Sequence, residues 1–157
     1  KYELWPTDWG FDSESIVPVN NPPGAHRVTG DTNPVTTRHL RNKWYMPFCR
    51  TFHATYPSGL QHIIFNCATP IDDNSVQLAQ ILFRNDDEAS CSTAELVAWD
   101  RAILAEDRDI LEATDADACI DTRRRVEFHM ESDKPGLLIR KKLMELLTAH
   151  GEELMHR

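Results

Sequence analysis

The chain has 157 residues, 41% apolar and 27% charged, with a formal net charge of −8. This is one domain's length, with enough apolar residues for a core and the composition of an ordinary soluble globular protein. The acidic balance argues against nucleic acid and against an anionic membrane surface, which call for a basic face. No stretch has transmembrane length, and no signal peptide opens the chain.

Residues 1–40 are rich in Pro, Asn and Gly. Tyr2–Leu4 and Phe11–Val19 have strand character, and Thr7-Asp8-Trp9-Gly10 between them reads as a turn. Asn20–Thr37 reads as a long loop, of the kind that covers a site. From Lys43 the pattern changes. Lys43–Tyr56 is aromatic and β-prone, with Pro47 pointing to an edge or bulge. Pro57-Ser58-Gly59 marks a hairpin turn, Gln61–Thr69 a second strand, Pro70–Asn74 another turn and Ser75–Arg84 a third strand. The segment 43–84 is therefore expected to be an antiparallel meander. After a polar loop, Ser92 and Glu95 have capping-box spacing and open a helix over 93–114. Asp115–Asp121 reads as an acidic loop, and Arg125–Met130 alternates like a short strand or extended segment. Ser132-Asp133-Lys134-Pro135 starts a terminal helix, assigned to 133–157, with Ile139, Leu143, Leu146 and Leu147 on one face. Strands followed by helices predict an α+β fold, an antiparallel sheet packed on a long helix.

Asp107 is the most informative residue. Leu96, Ile103, Leu104, Ile110 and Leu111 form one helical face, and Asp107 falls near the middle of that stripe. A buried carboxylate needs a cation, strong hydrogen bonds or a raised pKa. It reads either as a metal ligand aimed inward or as half of an ion pair with an arginine such as Arg50, Arg84 or Arg140. Asp100 lies two turns back on the same face.

Other residues are weaker pointers. His53 and His62 flank the first hairpin turn and, if diagonal on one sheet face, would complete a two-histidine-one-carboxylate set with Asp107, a set that suits non-haem Fe(II); the bland alternative is two exposed hairpin residues. His26 and His39 have no partner in view, and His150 and His156 read as solvent histidines. Trp99 is either a pocket wall for a flat ligand or a boundary tryptophan. Cys49, Cys67, Cys91 and Cys119 are widely spaced and form no C-x-x-C pair, so they read as reduced, partly buried thiols in a cytoplasmic protein. There is no nucleophile elbow and no phosphate loop. Lys1 opens what reads as mid-domain sequence, so a fragment of a longer protein is expected.

Five stretches, in order, resemble the C-terminal catalytic domain of Rieske-type non-haem iron oxygenases, closest to the phenoxybenzoate dioxygenase and aromatic O-demethylase branch. They are Tyr2–Phe11, Tyr45–Thr51 with its Met46-Pro47-Phe48, Thr69–Asp73, Ala105–Ala113 and Ser132–Arg140. The resemblance implies a helix-grip fold of the START/Bet v1 type, incomplete at its N-terminus, as residues 1–157 of an oxygenase alpha subunit. It makes Asp107 the carboxylate ligand of a mononuclear Fe(II) and places Trp99, with Phe48 and Ile103, along a substrate pocket. It implies a hydrophobic, aromatic substrate, hydroxylated or O-demethylated with O2. Electrons would come from a Rieske [2Fe-2S] cluster served by a ferredoxin or flavin reductase, and the complete protein would be a homo-oligomer, a trimer. The sequence departs from the family in lacking the D-x2-H-x4-H iron motif and the C-x-H and C-x2-H cluster ligands. Both are expected upstream of Lys1, and the fragment alone is expected to be inactive. The rival expectation is a non-catalytic helix-grip module that binds a hydrophobic small molecule, with Asp107 as a polar anchor. A third is a structural half-domain in which Asp107 pairs with an arginine.

Overall fold

The structure, a computed structural model, describes residues 2–114 and 120–154. Six strands run in chain order: β1 (Tyr2–Thr7), β2 (Gly10–Asn20), β3 (Val35–Tyr45), β4 (Cys49–Thr55), β5 (Gln61–Asp72) and β6 (Ser75–Arg84). They form one sheet of order β1-β2-β3-β4-β5-β6, each strand antiparallel to the next. A short helix α1 (His26–Thr29) lies between β2 and β3, and α2 (Thr93–Glu112) and α3 (Lys134–Ala149) follow the sheet. The fold is α+β and consistent with a helix grip. Two compact units are distinguished, Lys1–Ala105 and Glu106–Arg157, with the boundary inside α2. Among the described residues no helix is long and apolar enough to cross a membrane.

The turns have local causes. At Thr7–Gly10 the chain reverses where only glycine fits, since a Cβ on Gly10 would stand 2.1 Å from the Trp44 carbonyl oxygen. The expected strand Lys43–Tyr56 is instead the end of β3 and all of β4, reversed at Met46-Pro47-Phe48. Pro47 lacks the N–H a continuous ladder requires, and the Met46 N–H bonds back to the Trp9 carbonyl at 2.9 Å. The next reversal lies later than expected, because β5 carries through Pro70 to Asp72 before turning at Asp73-Asn74. The capping box at α2 is present: Ser92 N and Oγ donate to Glu95 Oε2 at 3.0 and 2.8 Å.

The expected loop Asn20–Thr37 is largely ordered by one residue. Asn21 is 1% exposed. Its Nδ2 donates to the carbonyls of Asp31 and Asn33, both at 2.8 Å, and its Oδ1 accepts from Thr29 Oγ1 at 3.0 Å. One side-chain amide thus closes the β2–β3 connection around α1.

In the second unit, Arg125–Met130 is not a strand. Arg125 is left-handed, with φ of 53°, where it ends the 3-10 turn Thr122–Arg124. The Asp115–Cys119 part of the expected acidic loop lies outside the described residues. α3 starts one turn after Met130, whose N–H donates to Asp133 Oδ2 at 2.8 Å. Its Arg140 bonds Glu127 at 2.6 Å.

Replacing Asn21 by Ala is expected to lower stability by about 2 kcal/mol, because two carbonyls lose their donor and a buried site loses its filling. Urea unfolding of the two proteins checks this. Asn21→Asp, which faces an oxygen toward those carbonyls, is expected to be no better.

Candidate functional site

Antiparallel partners point to the same side of a sheet, so the register defines three rows across the face that receives the first turns of α2. Trp44, Arg50, Asn66 and Gln80 form the first row; Asn42, Phe52, Ile64 and Leu82 the second; Leu40, Ala54, His62 and Arg84 the third.

The first row is polar and connected. The Arg50 guanidinium lies over the rings of Trp44 and Phe52, 5.1 and 5.6 Å from their centroids, and donates to Asn66 Oδ1 at 3.2 Å. Asn66 Nδ2 donates to Gln80 Oε1, and Gln80 Nε2 donates to Asp100 Oδ2 on α2. The row therefore ends on a helix carboxylate, but on Asp100 rather than Asp107.

The second and third rows bound a cavity of about 150 Å³. Phe52, Ile64 and Leu82 supply its apolar wall from the sheet, and Trp99 and Ile103 line it from α2. Phe48 is not part of this lining; it sits in the β3–β4 turn, 45% exposed. The polar lining includes Arg38, Tyr56 and His62. His62 is 6% exposed, meets Tyr56 edge-on at 5.3 Å, and its Nε2 has no hydrogen-bond partner among the described residues. Burial pushes the imidazole down to about 4, helped by the positive charge of Arg84, while Asp86 and the Val28 backbone pull weakly the other way. His62 is thus neutral at pH 7. Burial raises the Tyr56 hydroxyl, and Arg38 opposes that shift. The buried Nε of Arg38 is likewise unpartnered, and Arg38 makes no ion pair with a described residue. The lining also carries Asn20, Thr29 and the Asp100 carboxylate, so apolar walls face polar groups of both charge signs, an arrangement that suits a flat ligand carrying a polar group.

His53 and His62 do not share a face. His53 pairs with Ile63 and His62 with Ala54, so the one-residue offset sends their side chains to opposite sides of the sheet. His53 bonds Gln61 at 3.1 Å. The set of His53, His62 and Asp107 cannot form.

Asp107 itself is exposed on α2, and the stripe around it is open as well: Ile103, Ile110 and Leu111 are 42%, 70% and 71% exposed. Asp107 has no hydrogen bond or ion pair with a described residue, whereas its neighbour Arg108 reaches Asp109 and Glu112. The arginines considered as its partners bond elsewhere: Arg50 to Asn66, Arg84 to Asp86 and Arg140 to Glu127. A free carboxylate has the right chemistry for Fe(II), but no three His, Cys, Asp or Glu side chains stand together among the described residues. These residues do not by themselves fit an iron site, which needs further imidazoles.

The first-row ladder, Arg38 and the inward direction of His62 escaped the sequence reading. The alternation Arg50, Phe52, Ala54 was visible, but only the hairpin register says which residues it meets.

Residues 10–149 match the family described as the vanillate O-demethylase oxygenase C-terminal domain. No curated protein and no solved structure matches the chain.

An imidazole held at about 4 in the fold and 6.5 when unfolded binds fewer protons folded than unfolded between those values. Stability therefore rises with pH across this window and is lost as pH falls through it, on the order of 3 kcal/mol for this group. Unfolding titrations at stepped pH are expected to show a shallower acid slope for His62→Gln than for the parent chain.

Proposed function

The chain belongs to the family of vanillate O-demethylase oxygenase C-terminal domains, a Rieske-type oxygenase family, and we propose from that membership that it forms the substrate chamber of an O2-dependent aromatic hydroxylase or O-demethylase. The observation that carries the proposal is the cavity of about 150 Å³ between the sheet and α2, walled by Phe52, Ile64, Leu82, Trp99 and Ile103. A cavity of roughly that volume can hold a single benzene ring. In this reading the walls grip the ring face-on and exclude water, and Arg38, Tyr56 and His62 hold a polar ring substituent. Neutral His62 offers one ring nitrogen, and Arg38 a charged N–H. The Arg50–Asn66–Gln80–Asp100 ladder braces α2 against the sheet and keeps the chamber's width constant.

The finer parts of the proposal follow the family resemblance. Asp107 is proposed as the carboxylate ligand of a mononuclear Fe(II), with two histidines supplied from outside these 157 residues. That metal, when bound, supplies O2 activation. A Rieske [2Fe-2S] cluster and a ferredoxin or flavin reductase would deliver electrons, in a cytoplasmic homo-oligomer that is a trimer when complete.

A second reading has its own support. The cavity lining runs from Val19 to Ile103 and does not include Asp107. A helix-grip module that only binds a hydrophobic small molecule would need nothing more.

Two measurements separate the readings. In the complete protein, Asp107→Ala is expected to remove the mononuclear iron and activity while the optical signature of the Rieske cluster persists; full iron content in that variant would sink the assignment of Asp107. Titration with single-ring aromatics, followed by Trp fluorescence, is expected to show binding that weakens about tenfold or more in Trp99→Ala. Binding without turnover under any electron supply would favour the binding module.

A further inference from the structure

We propose that Cys49 and Cys67 are a redox modification site, a pair of thiols that closes reversibly into a disulfide between β4 and β5. The two residues are direct antiparallel partners. The Ala68 N–H donates to the Phe48 carbonyl at 2.9 Å, which brackets Cys49 and Cys67 as a non-hydrogen-bonded pair. In such pairs the Cα atoms stand about 4.5 Å apart and the side chains lie closest. That is at the short end of the roughly 4.4–6.8 Å that a disulfide spans. The sulfurs are already in contact, at 3.0 Å, in a thiol–thiol hydrogen bond. Both residues are half-buried, within reach of a small oxidant. Cys91, by contrast, is 2% exposed, and no thiol of a described residue bonds it.

The chemistry balances with a peroxide as oxidant. One thiolate attacks the peroxide oxygen and becomes a sulfenic acid as the first water leaves. The second sulfur then displaces the sulfenic oxygen as another water, so two thiols are oxidised to one disulfide and one peroxide is reduced. Hydrogen bonding to Cys67 raises the Cys49 thiol and burial adds to this. The attack is therefore faster in mildly alkaline solution, where more thiolate exists.

The bond would form beside the polar ladder. Arg50 and Asn66, the next pair along the same strands, project to the opposite face of the sheet. A disulfide at Cys49–Cys67 fastens these strands directly behind the ladder that reaches α2.

The test uses the full protein carrying this chain, fully reduced, then treated with one equivalent of hydrogen peroxide. Thiol titration is expected to fall by two per chain. Non-reducing peptide mapping should recover Cys49 linked to Cys67, and a dithiol reductant should restore both. The oxidised sample should unfold at a higher temperature than the reduced one, a difference lost in the C49S/C67S variant. Linkage of either residue to Cys91 or Cys119 instead would overturn the proposal, as would sulfinic acid at Cys49 or Cys67 with no disulfide. So would both thiols surviving a peroxide excess that oxidises methionine.

Discussion

The antiparallel register that runs from β1 to β6, shifted at Pro70/Asp72 in the last hairpin, is the constraint on which the rest of the structure depends. Side chains alternate across a sheet with period two, so a slip of one residue in any hairpin exchanges its two faces. Here the hairpins bring Arg50, Asn66 and Gln80 into one row and Phe52, Ile64 and Leu82 into the next. The same register sends Cys49, Cys67 and His53 to the other side. Chamber wall, polar ladder and thiol pair are three consequences of one pairing pattern.

Polar groups inside the first unit fall into two kinds. Asn21 and the Arg50–Asn66–Gln80–Asp100 ladder are bonded to protein partners and fix backbone and helix position. His62 Nε2 and Arg38 Nε are buried without partners. An unpaired buried donor or acceptor costs about 1–3 kcal/mol. A fold that keeps two of them on one small cavity has left hydrogen-bonding capacity that a ligand can use. The first kind builds the chamber; the second gives it a polar end.

The helices are less enclosed than the sheet. Neither α2 nor α3 has a buried residue, and the C-terminal turns of α2 present Ile110 and Leu111 to solvent beside Asp107. A carboxylate on such a surface is a ready ligand for a cation whose other donors come from elsewhere, and a poor one by itself.

Much of the architecture could be read in advance because its causes are local. Turn residues on its N-terminal side and a polar loop after it bounded β6, the Ser92–Glu95 box opened α2, Pro57-Ser58-Gly59 turned the chain, and Pro135 stood at the start of α3. Family motifs added the membership that residues 10–149 bear out. Errors arose where a cause was local but ambiguous: Pro47 was compatible with a bulge or a turn, and Pro70 with a turn or a strand. Periodicity placed Asp100 and Asp107 on one helix face, yet it could not say which would meet the sheet. Gln80 answered for Asp100, and Gln80 is twenty residues away in the chain. The amino-acid sequence by itself determined the elements, their order and the polarity of their faces, because these follow from neighbours within a turn or a strand. Only the tertiary structure decided that His62 points inward, that Arg50 reaches a helix carboxylate through two amides, and that two distant cysteines touch, because strand register joins residues that no local pattern connects.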